Sequence, residues 1–335
     1  MTADLYAGVD IGGSKALAVV VDAANRVVGQ VRLPTRRGAE GVVTTAVEAV
    51  RQAAAMAGTA PSQLRGVGVG IPGLVHPTNG SVSHAVNLDL GADPVHLAAA
   101  LEHRLAVPVA VENDVNAVAV GAHRLAGSAH ADLAVLSIGT GLAAGIVVDG
   151  QLHRGSRGAA GEIGHIPVDP AGAWCSCGQR GCLETVASGS ALSAAWRATG
   201  TPAASGGSVW SAAAAGNAQA VEAVRTFGGG VAAAVRLLVL AWDVESVLLA
   251  GGVTEVGQPL LAAVRRELVA AEKQSPLLAA MRLSERVSLL PTQSPVAAVG
   301  AAVLARESLV SPPVAGSAVA ASSVAVSETT AQEVS

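Results

Sequence analysis

The sequence predicts an α/β protein made of two similar α/β lobes. Three observations carry this expectation. Strand and helix patterns follow the order βββαβαβα through the first third of the chain. A strand–glycine turn–strand unit, "LYAGVDIGGSKALAVVVD", recurs as "ADLAVLSIGTGLAAGIVVDGQLHRG". The 335 residues are also enough for two cores, and with 51% hydrophobic but only 2% aromatic residues those cores must be Ala, Val and Leu.

The elements follow in order. The first unit and "RVVGQVRLP" make an antiparallel meander, with "DAAN" as its second turn. "GVVTTAVEAVRQAAAMAG" has helical spacing and ends on Gly58, a C-terminal cap residue. "LRGVGVGIPG" reads as a buried strand entering a glycine-proline loop, "PVHLAAALEHRLAV" as a helix, "PVAVEN" as a strand and "DVNAVAVGAHRLAG" as a helix. After the second hairpin unit, residues 207–242 read as Ala-rich helices interrupted by "GGG" at 228–230. "ESVLLAGGV" is a buried strand opening on two glycines, and "PLLAAVRREL" is a helix. "SPVAAVGAAVLARES" is a last helix with Ser294 as N-cap and Pro295 in its first turn. Residues 311–335 are small and of low complexity, and are expected to be disordered.

Charge and composition exclude several classes. The net charge is −4, only Lys15 and Lys273 are lysines, and no basic run exists, so no nucleic-acid partner is expected. No stretch of about 18 uncharged apolar residues appears, so no membrane partner is expected either. "MTADLYAGVD" has no basic or apolar leader region, and an odd, clustered cysteine count is unlike a secreted disulfide framework. A cytoplasmic location is the expectation.

Three glycine turns bear on function. In "DIGGSK", Gly12 and Gly13 permit a tight turn whose N–H groups can meet an anion, and Asp10 could hold Mg²⁺. The alternative is a plain hairpin turn. Gly139, Thr140 and Gly141 repeat the device, and Gly251–Gly252 offers a third backbone approach. Together the three favour a nucleotide. In "VENDVN", Asn113 and Asp114 stand where a strand passes into a helix, as N-cap residues do. A carboxylate at that edge is also where a general base belongs, and phosphoryl transfer to an alcohol needs one.

All three cysteines lie in "GEIGHIPVDPAGAWCSCGQRGCLE". His165, Cys175, Cys177 and Cys182 form a Cys₃His set suited to structural Zn²⁺, with the redox spacing C-x-x-C absent. Glu162 and Glu184 flank this knot, so zinc would hold two carboxylates and an imidazole edge in place for a polyol; the alternative is two solvated glutamates.

On these residues the chain resembles the ROK family of bacterial sugar kinases and sugar-responsive repressors. The pattern G-H-x₆-G-x₂-C-x-C-G-x₂-G-C-x-E is met in full by Gly164, His165, Gly172, Cys175, Cys177, Gly178, Gly181, Cys182 and Glu184. The resemblance runs from about Tyr6 to Arg306. It implies an actin-like ATPase (ribonuclease H-like) fold with a cleft between the lobes. One lobe would be residues 1–118 joined by helix 295–308, the other residues 119–294. It implies Asp114 as the base, and Gly73, Asn87, Asn113, Glu162, His165 and Glu184 around the sugar, with His165 serving zinc as well. Asp10, Gly12, Gly13, Ser14 and Lys15 would form the first phosphate loop, Gly139–Gly141 the second, and Gly251–Gly252 the adenosine loop.

The implied reaction is transfer of the γ-phosphoryl group of Mg-ATP to the 6-hydroxyl of an aldohexose, glucose foremost. N-acetylglucosamine or N-acetylmannosamine is the alternative acceptor, and polyphosphate an alternative donor. "NLDLGADPVHL" lacks the aromatic residue often found there in family glucokinases, which leaves the sugar open. Repressors of the family carry a helix-turn-helix segment before the first glycine loop, and here that loop begins by residue 10. A homodimer or homotetramer is expected from the resemblance alone.

Overall fold

The computed structural model describes residues 4–125, 132–199, 206–291 and 295–310. The tail 311–335 and Ser294 lie outside the described residues.

The first half runs β1 (Tyr6–Ile11), β2 (Lys15–Val21), β3 (Val27–Pro34), α1 (Ala39–Met56), β4 (Gly66–Ile71), a small hairpin of β5 (Leu74–Val75) and β6 (Val82–Ser83), α2 (Leu97–Leu105), β7 (Val109–Asn113) and α3 (Asp114–Leu125). Its sheet has the order β3-β2-β1-β4-β7. The second half runs β8 (Leu133–Ile138), β9 (Leu142–Val148), β10 (Gln151–Leu152), a long loop, α4 (Glu184–Ala187), α5 (Gly189–Arg197), α6 (Gly206–Ala214), α7 (Ala218–Trp242), β11 (Ser246–Ala250), α8 (Gln258–Gln274), α9 (Pro276–Met281), β12 (Val287–Leu289) and α10 (Val296–Val310). Its sheet order, β10-β9-β8-β11-β12, repeats the first. In each sheet an antiparallel hairpin is followed by two parallel strands. Parallel strands align their carboxyl ends, which is where α/β proteins place their sites. Asp10 pairs with Gly70 and Ile71 with Asn113 at one such edge, and Ala250 with Ser137 at the other.

Two helices lie between the sheets. α10 returns from the chain's end to pack on β1, β4 and β7, while α3 packs on β8 and β9 and against α10. The layers are therefore sheet, α10, α3, sheet. The packing is close because the sequence supplies no side chain at the crossing points. A Cβ on Gly300 would lie 1.8 Å from the Ala117 carbonyl oxygen, and one on Gly8 or Gly68 would lie 1.8 Å from carbonyls of α10. Ala117, Ala298, Ala301 and Ala302 are fully or almost fully buried there.

The predicted break at residues 228–230 does not exist: α7 is continuous from Ala218 to Trp242, and the preceding turn falls at Gly216 and Asn217, which caps α7 through its side chain. Glycine costs about 1 kcal/mol per position in a helix interior, but tertiary packing overrides this preference. Gly230 sits against Val186 and Ala187 of α4, and Gly228 lies in ordinary contact with Ala263 of α8. α7 is apolar and long enough to cross a bilayer, yet 61% of its most apolar window is buried within the molecule, which makes it the core helix of the second half.

Candidate active site

The cleft between the two sheets holds a cavity of about 640 Å³ lined by residues from both. Gly73, Asn87, Asn113 and Asp114 come from the first half, and Glu162, His165, Glu184 and Gly139–Gly141 from the second. All seven residues expected around a sugar are thus brought together, beside the second glycine turn.

Asp114 is the first residue of α3, directly after β7. Its Oδ1 accepts from the Val115 N–H at 2.9 Å. Burial pushes its carboxyl above the usual 3.8, the Val115 N–H opposes the rise, and Glu162 adds to it. Asn113 is committed to structure: its Oδ1 takes the Val115 and Asn116 N–H groups, and its Nδ2 donates to the Gly73 carbonyl at 3.1 Å. One Asn113 N–H remains for a ligand. Burial also raises Glu162, with Glu184 reinforcing and His165 opposing.

Of the three glycine turns, only the second, Gly139–Gly141, lines the cavity; Asp10, Gly12–Lys15 and Gly251–Gly252 are not among its lining residues. Asp10 is the penultimate residue of β1, its carboxyl pushed up to about 6 by burial and by Asp114, with Lys15 opposing. Gly13 lies against Asn87, where a Cβ would stand 3.0 Å from the Asn87 Cβ. Ser14 and Lys15 are exposed at the turn. The turn is pinned by Thr35, whose hydroxyl donates to the Gly12 carbonyl at 2.8 Å and whose N–H donates to Ser14 O. Thr35 lies 23 residues from Gly12 and carries no motif, so a reading of the sequence misses it. The second turn is held by Gly189, whose N–H donates to Gly139 O at 2.8 Å. Gly251 adopts φ +89°, and a Cβ there would lie 2.5 Å from Ile138 O, so the third turn abuts the second. Thr254 closes it by donating its hydroxyl to Gly251 O.

His165, Cys175, Cys177 and Cys182 converge, with one ligand atom from each within 4.8 Å of the others. Cys177 and Cys182 sulfurs are 3.7 Å apart, and Cys175 Sγ is 3.6 Å from His165 Nδ1. Donors on a tetrahedron with metal–sulfur bonds of about 2.3 Å stand about 3.8 Å apart, so the set fits Zn²⁺. Burial, and then the neighbouring sulfurs, push the Cys182 thiol up to about 12. A divalent cation reverses that penalty by ionising the thiols outright. Because Nδ1 faces the sulfurs, His165 Nε2 is left toward the cleft, 3.9 Å from Glu162 Oε2.

His84 also lines the cleft, a residue that the sequence does not single out. It adopts φ +57°, and its Nδ1 is 3.1 Å from Ser83 Oγ. No local motif marks it, because its place depends on how the β5–β6 hairpin folds back.

Comparisons with known proteins agree with this architecture. The ROK family profile matches residues 6–308. A glucokinase of Streptomyces coelicolor is 33% identical over 280 residues, 78% of this chain and 86% of its own. An N-acetylmannosamine kinase of Yersinia pestis is 30% identical over 269 residues, 80% of this chain and 88% of its own. Among solved structures, the ROK hexokinase from Thermus thermophilus superposes with a TM-score of 0.76 at 29% identity, covering 91% of this chain and 99% of that one. The ROK glucokinase from Streptomyces griseus, solved with glucose and AMPPNP, gives 0.72 at 32% identity, with 90% and 99% covered. These neighbours carry the actin-like ATPase fold, and the repeated sheets with a shared cleft are its two lobes. With the family profile spanning nearly the whole described chain and its cysteine–histidine knot assembled in space, the protein belongs to the ROK family.

Proposed function

We propose that the protein is an ATP-dependent sugar kinase that transfers the γ-phosphoryl group of ATP to the 6-hydroxyl of an aldohexose, glucose foremost. One observation carries this reading: Asp114 faces the same cleft as Glu162, His165 and Glu184 and as the glycine turn at Gly139–Gly141. A base, a polyol site and an anion cradle then share one cavity. The similarity to glucokinases and to a structure holding glucose and AMPPNP supports the same reading.

In this proposal Glu162, Glu184, His165 Nε2, Asn87 and the free Asn113 N–H orient the sugar hydroxyls. Asp114 accepts the proton of the attacking hydroxyl as its oxygen bonds to the γ-phosphorus. The bond from that phosphorus to the β–γ bridging oxygen breaks, and its electron pair leaves with ADP. Burial, by raising Asp114, makes it a stronger base than an exposed aspartate. The Gly12 and Gly139 N–H groups close their own turns onto Lys15 O and Gly141 O, so Gly13, Ser14, Thr140 and Gly141 are the residues whose N–H groups would meet the phosphates, with Gly251–Gly252 taking the adenosine. Asp10 is the carboxylate suited to Mg²⁺, since burial beside Asp114 leaves its charge in want of a cation. Bound Mg²⁺ supplies charge neutralisation on the triphosphate.

The Cys₃His set would hold Zn²⁺ with every position filled, a structural role that keeps Glu162, His165 and Glu184 in register. The division into a lobe of residues 1–118 plus helix 295–308 and a lobe of 119–294 belongs to this reading, with α3 straddling the boundary.

The test is ADP release from Mg-ATP with glucose, mannose, N-acetylglucosamine, N-acetylmannosamine and fructose. Turnover with a marked preference for glucose is the expected result. Preference for an N-acetylated sugar would move the assignment to the relatives of the N-acetylmannosamine kinase type. No turnover on any of the five would overturn the kinase reading.

A further inference from the structure

Glu112 is 8% exposed, sits one residue before Asn113 on β7, and faces three donors. Its Oε1 accepts from the Asn113 N–H at 3.0 Å and from Asn116 Nδ2 at 2.9 Å. Its Oε2 accepts from Arg154 Nε at 2.6 Å. The first two donors belong to the β7–α3 corner itself. Arg154 does not: it follows β10 of the other sheet, 42 residues away. The carbonyl of Arg154 accepts from the Ala160 N–H at 3.1 Å, and Ala160 stands two residues before Glu162.

We infer that the Arg154–Glu112 ion pair is a positioning tie between the lobes, holding the corner that carries Asp114 in register with the loop that carries Glu162. The inference rests on the kinase reading, in which Asp114 and Glu162 act on the same sugar. A carboxylate this buried must keep its partners, because an unpaired charge in a protein interior is costly. Losing Arg154 leaves Oε2 without its charged partner, so the carboxylate turns or draws in water. Either response disturbs the N–H of Asn113, the residue on which Asp114 is mounted. A guanidinium is well suited to such a tie, since its planar fork can fix the carboxylate while the backbone carbonyl of Arg154 holds Ala160 in the loop that leads to Glu162. Neither residue faces the sugar or the phosphates in the cleft, so both are positioning residues rather than catalytic ones.

The test is steady-state kinetics of Arg154→Lys, Arg154→Gln, Glu112→Gln and the double Arg154→Gln/Glu112→Gln variant, using the sugar that the intact chain prefers. Hydrogen exchange of residues 112–116 is measured alongside. A displacement near 1 Å at a reacting group costs up to about 100-fold in rate, so Arg154→Gln is expected to lower kcat by about 10- to 100-fold. The KM for ATP should stay within about twofold, and Arg154→Lys should recover part of the loss because its charge remains. The double variant should be no worse than the poorer single variant, the non-additivity of two residues acting as one. Exchange at 112–116 should quicken in Arg154→Gln while the rest of the sheet is unchanged. Wild-type kcat in Arg154→Gln, a fall in kcat with no change in exchange, or additive losses would each overturn the tie. If the intact chain turns over no sugar, the kinase reading fails separately, and unchanged exchange at 112–116 would then still dismiss the tie.

Discussion

Glu184 Oε2 accepts a 2.9 Å hydrogen bond from the Leu142 N–H. The carboxylate that ends the cysteine knot therefore also holds the far side of the second glycine turn. Contact is tight: a Cβ on Gly141 would lie 2.6 Å from the same oxygen. In the proposed reaction the sugar wall and the phosphate cradle would thus be one connected piece of structure.

That relationship separates two variants. Glu184→Gln keeps a carbonyl oxygen for Leu142 and should raise the KM for sugar while leaving the KM for ATP close to unchanged. Glu184→Ala strands the Leu142 N–H, a loss of about 1–3 kcal/mol, and should raise both. Equal ATP KM values for the two variants would show that Glu184 does not support the turn.

Asp114→Asn keeps an acceptor for the Val115 N–H but removes the proposed base. Turnover should fall by about 10²- to 10⁴-fold, the contribution of a positioned general base. Sugar binding by calorimetry should persist. A variant that turns over at near the normal rate would remove Asp114 from the mechanism.

Metal analysis should find about one Zn²⁺ per chain, the stoichiometry of a closed Cys₃His site. Cys182→Ser, at a buried ligand position, should lower the Tm and weaken sugar binding together, because the knot holds Glu162, His165 and Glu184. A metal-free protein with unchanged Tm and sugar affinity would dismiss the structural role.

Asp10 gives a dependence on pH. Its folded-state pKa of about 6 lies above the ordinary value of 3.8, so between the two the folded chain binds more protons than the unfolded one. Stability linked to Asp10 is present below 3.8 and is lost as pH rises through about 6. In Mg²⁺-free protein Asp10→Asn should therefore stabilise at pH 8 by up to about 3 kcal/mol. It should do little at pH 4 and should abolish turnover. Thermal melts of the two proteins at both values settle it; equal increments at pH 4 and 8 would contradict the buried charge.

The glycines of α7 and α10 respond oppositely to a methyl group. Gly229 has nothing within 4 Å of its Cβ position, so Gly229→Ala should stabilise by about 0.5–1 kcal/mol through helix propensity alone. Gly300→Ala would bring a Cβ to 1.8 Å from Ala117 O, and forcing α3 from α10 should cost about 1–3 kcal/mol or more. Denaturant titration of both variants tests the contrast. A destabilised Gly229→Ala would mean that the helix face there is occupied.

Much of this was legible because it is local. Strand alternation, the two glycine hairpins and a knot whose four ligands fall between His165 and Cys182 are short-range patterns, and a chain can express them before its ends meet. The α/β class, the repeated lobes and the chemistry of Asp114, Glu162, His165 and Glu184 could be read from them, whereas Gly73 and Asn87 came only from the family resemblance and His84 from neither. Tertiary structure decided the rest, because the deciding contacts join residues far apart in the chain. Local preference breaks a helix at three glycines, yet α7 runs through them because Val186, Ala187 and Ala263 pack where side chains would stand. Thr35 on Gly12, Glu184 on Leu142 and Arg154 on Glu112 are hydrogen bonds spanning 23, 42 and 42 residues, invisible to any window along the chain. The sequence by itself determined which chemical groups the protein owns. Only the burial of two sheets around α3 and α10 determined which of them share a cavity, and with what charge.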